Sequence, residues 1–122
     1  MGGTAKVRAI SVSGTTVVIG SSAALSGTVT SAVICATLDK ILVQSADSSN
    51  VYIEPFTVSG STLTPGTSGA FSPGLLPYQN QFLFPLGSYW IAVWTVSGSQ
   101  TYVAVVTLSG TTVTLSTVTL NN

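Results

Sequence analysis

Thr101-Tyr102-Val103-Ala104-Val105-Val106-Thr107-Leu108 is the stretch that decides the fold class. Drawn as an extended chain, it puts Tyr102, Ala104, Val106 and Leu108 on one face and Thr101, Val103, Val105 and Thr107 on the other. Its β-branched side chains suit a pleated strand, where their stiff χ1 packs without crowding a preceding turn. Thr111 to Leu115 continues the alternation. No window of the chain carries an i, i+3, i+4 apolar stripe with helix caps. The reading is all-β.

Five short units of the form apolar-Ser-Gly-polar punctuate the apolar runs: Val12-Ser13-Gly14-Thr15, Leu25-Ser26-Gly27-Thr28, Val58-Ser59-Gly60-Ser61, Val96-Ser97-Gly98-Ser99 and Leu108-Ser109-Gly110-Thr111. Ser-Gly between extended runs predicts a tight hairpin, because glycine accepts the positive φ such turns demand. The units are unevenly spaced, which argues against equal solenoid rungs. Strands are predicted over 5–12, 15–20, 23–31, 32–38, 40–45, 50–58, 61–64, 81–84, 88–96, 100–108 and 111–120, with some expected to merge or fail. Eight to ten strands make an antiparallel β-sandwich, with the jelly roll as one form it can take. Residues 1–122 are expected to form one domain, with an N-terminal arm over about 1–12 and a Pro/Gly-rich loop over 64–81.

Charge is the anomaly of the composition. Of 122 residues 45% are hydrophobic, but only 5% are charged, and the formal net charge is zero. Ordinary domains carry about 25% charged residues. The surface must therefore be made of hydroxyl and amide side chains, which are hydrated without repelling one another, and such a surface favours association. Three cations among 122 residues cannot supply the clustered charge that phosphate binding draws on, so nucleic acid is excluded as an expected partner. No apolar run reaches the ~18 residues of a membrane helix, and the N-terminus lacks the apolar stretch of a secretion signal, so synthesis in the cytoplasm is expected.

Candidate chemistry is sparse. Without histidine there is no imidazole base, no Ser-His or Cys-His pair and no histidine metal site. Phosphate-loop, dinucleotide-binding and nucleophile-elbow motifs are absent. Asp47, in the polar turn Ser45 to Asn50, reads as a cap on backbone amides, with a calcium ligand as the rarer alternative. The lone Cys35, in an apolar run, reads as a small buried hydrophobe. No catalytic residue, metal or cofactor is expected. Lys6 and Arg8 share one strand face and are either edge protection or a partner contact. The loop side chains Phe71, Leu75, Leu76 and Tyr78 are too apolar for a free linker; they either cover their own core or pack on a neighbouring subunit. Trp90 and Trp94 share a strand face, ~13 Å apart. They are either core or, if exposed, a stacking platform for sugar rings.

The run Ile41-Leu42-Val43-Gln44, the turn ending in Asn50, and Val51-Tyr52-Ile53 resemble a small β-module of virion proteins of tailed-phage or archaeal-virus type. Leu63-Thr64-Pro65-Gly66-Thr67-Ser68 matches its Leu-x-Pro-Gly-x-Ser segment, and Trp90-Ile91-Ala92-Val93 through Val96-Ser97-Gly98-Ser99 its closing strand and hairpin. Glu54-Pro55 replaces a glycine of that pattern, and the insertion after Ser68 is long. The resemblance implies a capsid-decorating, vertex or fibre-like β-sandwich without catalytic residues. The expected function is a non-enzymatic virion structural protein that assembles with copies of itself and other capsid proteins as a homo-oligomer. One alternative is an exported, cell-surface pilus or filament subunit assembling by strand donation, with residues 5–12 or 111–122 as the donated strand. The other is a carbohydrate-binding module using Trp90 and Trp94.

Overall fold

The computed structural model describes residues 4–36, 40–71, 77–96 and 100–120, with backbone alone at 77–80, 96 and 117–120. Among the described residues eleven strands follow one another: β1 (Lys6–Ser13), β2 (Thr16–Ala24), β3 (Ser31–Ala36), β4 (Lys40–Ala46), β5 (Val51–Ser59), β6 (Thr62–Pro65), β7 (Gly69–Phe71), β8 (Pro77–Leu86), β9 (Tyr89–Val96), β10 (Gln100–Ser109) and β11 (Thr112–Leu120). Four tight turns, between β1 and β2, β5 and β6, β8 and β9, and β10 and β11, each open on a glycine with φ near +60° (Gly14, Gly60, Gly87, Gly110). A first turn residue in that region gives the primed hairpin geometry whose twist matches the strands it joins.

Every ladder is antiparallel, and two sheets pack face to face as a β-sandwich. One sheet runs β3-β4-β5-β6, with β7 continuing past β6 along the same edge of β5; the other runs β11-β10-β9-β8. Both are meanders of sequence neighbours, unlike the interleaved Greek-key order of a jelly roll. The core between them joins Leu42, Ala46, Val51 and Ile53 to Leu83, Trp90, Ala92, Trp94, Tyr102, Ala104, Val106 and Val113. Phe71, Trp94 and Tyr102 form an aromatic cluster, with Trp94 and Tyr102 stacked at 5.7 Å and Phe71 tilted against each at 5.3 Å. A parallel bridge between Thr67 and Thr112 joins the two sheets at one edge. There a Cβ on Gly66 would overlap the Thr111 carbonyl, so only glycine lets the two backbones meet.

The β1–β2 hairpin forms a third, two-stranded layer on the far face of the β3–β6 sheet. Val7, Ala9 and Leu25 meet Val43, Phe56 and Leu63 there in a second core. The middle sheet is thus covered on both faces, which is why Leu42 to Ala46 is buried without a break.

The strand predicted over 5–12 is β1, paired with β2 on both sides of a bulge opposite Ala9. Two other expectations change. The region 64–81 is not a structureless loop: β6, β7 and the start of β8 occupy much of it, because Ala70 and Phe71 find partners in Tyr52 and Val51. The strand predicted over 23–31 breaks at Ser26-Gly27, where the chain turns to reach Glu54.

Candidate functional site

The polar groups of the interior hold the layers together. Glu54 is buried on β5, where its Oε1 accepts from the Ser26 amide (3.0 Å) and the Ser26 hydroxyl (2.9 Å) while Oε2 accepts from Ser45 Oγ (3.2 Å). It latches the exit of the hairpin onto the middle sheet. Asp47 Oδ1 accepts from the amides of Ser49 and Asn50, both at 2.7 Å, and Oδ2 from the Tyr52 hydroxyl at 3.0 Å. Burial pushes its carboxyl up, but those hydrogen bonds outweigh it, and the group sits below its ordinary value near 3.8. The bond to Asp47, with burial and the carboxylate's charge, raises the Tyr52 hydroxyl. These are the contacts of a turn cap. Gln44 Nε2 donates to the Val93 carbonyl (3.2 Å) and Gln81 Nε2 to Ser31 Oγ, each tying one sheet to the other. Among the described residues no three acidic, cysteine or histidine side chains gather to hold a metal, and no helix is long and apolar enough to cross a membrane.

Trp90 and Trp94 lie in the core between the sheets, on the same face of β9 as the buried Ala92. Trp94, stacked on Tyr102 with Phe71 tilted against it, is 1% exposed and Trp90 8%, so the two indoles do not form an exposed platform for a sugar ring. Phe71 packs on the chain's own core. Leu75 and Leu76 lie outside the described residues, and of Tyr78 only the strand backbone is described. Cys35 is half-buried against the main core, and burial raises its thiol. Lys6 and Arg8 are exposed on the face of β1 turned away from the middle sheet.

Of the twelve large hydrophobics exposed among the described residues, nine gather in two places; Val18, Ile34 and Val58 lie outside them. At the tip of the hairpin Ile10 faces Ile19 and Val12 faces Val17 across the ladder, so four apolar side chains form one block. It lies on the same face as Lys6 and Arg8. Its position follows from a bulge: Arg8 pairs with Ser22 but Ile10 with Ile19, so Gly20 and Ser21 together oppose Ala9. At that bulge β2 touches β6. The Ser21 amide donates to the Ser61 carbonyl (2.9 Å), and Ser21 Oγ accepts from the Leu63 amide (2.7 Å). A side chain on Gly20 would collide with the Ser61 carbonyl. Before the bulge the hairpin lies on the sheet; beyond it, the tip is bare.

The second place is the outer face of the β8–β11 sheet. Phe82, Val93 and Val103 form one cross-strand row, Phe84, Ile91 and Val105 the next, and Leu86 pairs with Tyr89 at the turn. Phe82, Phe84, Leu86, Tyr89 and Val105 are exposed. All six charged residues fall between Lys6 and Glu54, so this sheet carries none. β9 is apolar on both faces, Tyr89, Ile91 and Val93 opposite Trp90, Ala92 and Trp94, and alternation does not tell a covered face from an open one. No protein-family model, curated protein or solved structure matches the chain.

Proposed function

We propose that this protein is a non-catalytic structural subunit whose work is to assemble with copies of itself and companions, and that the assembly is a virus particle. One observation carries the assembly reading: two apolar surfaces face outward, one at the hairpin tip beyond Lys6 and Arg8, and one, without any charged residue, on the β8–β11 sheet. Contiguous exposed apolar patches beyond a few hundred Å² mark interaction surfaces. The sparse ionisable groups support a non-enzymatic role, since Glu54 and Asp47 are both engaged in holding turns. The virion setting, as a decoration, vertex or minor capsid subunit, is supported by the resemblance of residues 41–53, 63–68 and 90–99 to a virion β-module.

A filament built by strand donation fits less well. Residues 6–13 pair with β2 and residues 112–120 lie along β10, so both candidate donor strands have partners within the chain.

Sedimentation of the purified protein over a wide concentration range tests the assembly reading, and a monomer throughout would sink it. Peptide mapping of purified particles from the host tests the setting; the virion reading expects this chain among the particle proteins at stoichiometric abundance, and its absence overturns it.

A further inference from the structure

We infer that the hairpin tip of one copy docks on the outer face of the β8–β11 sheet of a second copy, so that subunits associate head to tail. The inference rests on the assembly reading above and adds which two surfaces meet.

The tip offers Ile10, Val12, Val17 and Ile19, each 60–67% exposed, on a ribbon two strands wide. The face offers Phe82, Phe84, Leu86, Tyr89 and Val105, each 37–61% exposed, over three strands. Together these nine side chains expose on the order of 1,000 Å², the lower bound for a specific interface and less than the standard size. The receiving sheet has no acidic or basic residue, and the tip block is aliphatic, with Arg8 and Lys6 behind it on the same face toward the root. An apolar block suits an uncharged receiving sheet, and the two cations fall at the rim of such a contact, which is polar in interfaces generally.

The two surfaces cannot meet within one chain. The hairpin lies on one face of the β3–β6 sheet and the β8–β11 sheet on the opposite face. Packed layers stand ~10 Å apart, so the middle sheet keeps the tip and the receiving face on opposite sides of the molecule. Contact between the two therefore requires a second copy. One cross contact covers both surfaces, while like-with-like pairing needs two separate interfaces to do so. Because the two halves of the contact differ, the association is heterologous and propagates into a ring or an open row.

Complementing variants test this by light scattering on the full chain. A tip variant, V12D with V17D, keeps its face; a face variant, F84D, keeps its tip. Each alone is expected to lose self-association by on the order of 100-fold or more. Mixed one to one, they are expected to form dimers and nothing larger, since the sound tip of one fits the sound face of the other. L86D, at the more exposed hairpin end of the face, repeats the face test if circular dichroism shows F84D to be unfolded. If either variant associates like the wild type, or if the mixture stays monomeric, the docking is overturned while assembly by other surfaces stands. A wild type that is monomeric at every concentration overturns the assembly reading itself.

Discussion

The root and the tip of the β1–β2 hairpin are built from the same kinds of residue and end in opposite environments. Val7 and Ala9 are buried against the middle sheet, while Ile10, Val12, Val17 and Ile19, as apolar or more so, stand in solvent. Hydrophobicity alone would not separate them. The difference lies in the face each occupies: alternation turns Val7 and Ala9 toward a floor of Phe56 and Leu63, and turns the quartet outward with Lys6 and Arg8. The bulge at Gly20-Ser21 fastens the root to β6 and sets Val17 and Ile19 opposite Val12 and Ile10. Contiguous bare aliphatic surface marks interaction sites in proteins generally, which is the ground of the proposed assembly.

The contrast can be tested from the root outward. Phe56→Ala takes away the floor and should cost about 3–5 kcal/mol in urea unfolding, the range for truncating a buried phenylalanine. A loss near zero would mean that the root is not packed. Glu54→Ala leaves the Ser26 amide and two hydroxyls without their acceptor, for a loss of about 2–3 kcal/mol. Gly20→Ala forces the fastening apart; about 1–3 kcal/mol is expected, and faster hydrogen exchange at the Ser21 and Leu63 amides should localise it.

Asp47→Ala is smaller, about 1 kcal/mol at neutral pH. Its carboxyl is held below its ordinary value in the fold, so its contribution is present above about pH 4 and is lost as pH falls through the lower, folded value. Wild type and variant should therefore converge in acid, and a gap that persists there would refute the cap. Val12→Ser at the tip should leave stability within about 0.5 kcal/mol while weakening self-association, since nothing in the chain rests on it.

Much of the sandwich was legible because its signals are local. The alternation through Thr101 to Leu108 becomes β10 with Tyr102, Ala104 and Val106 buried, and Gly14, Gly60 and Gly110 open the hairpins their motifs announce. The Asp47 turn reads correctly for the same reason, since its partners lie within five residues. What escaped depends on distant chain. β7 is three residues of Gly, Ala and Phe with no period to detect, and exists because β5 has a free edge. The break at Ser26-Gly27 answers to Glu54, 28 residues on. The two indoles share a face as spacing requires, yet only the opposing sheet determines that this face is interior. The tip quartet gave the same signal as core strands, because alternation reports which residues share a face and never what stands opposite it.

The absence of ionisable acids and bases after Glu54 has an environmental consequence. A join made through the β8–β11 sheet contains nothing for counter-ions to screen and nothing for protons to neutralise. Brine should not dissolve it, and excluded salts such as sulfate should tighten it by making exposed hydrocarbon costlier. Such a join would answer to the exclusion of hydrocarbon from water and little to acid, even where the fold that carries it loses the Asp47 cap.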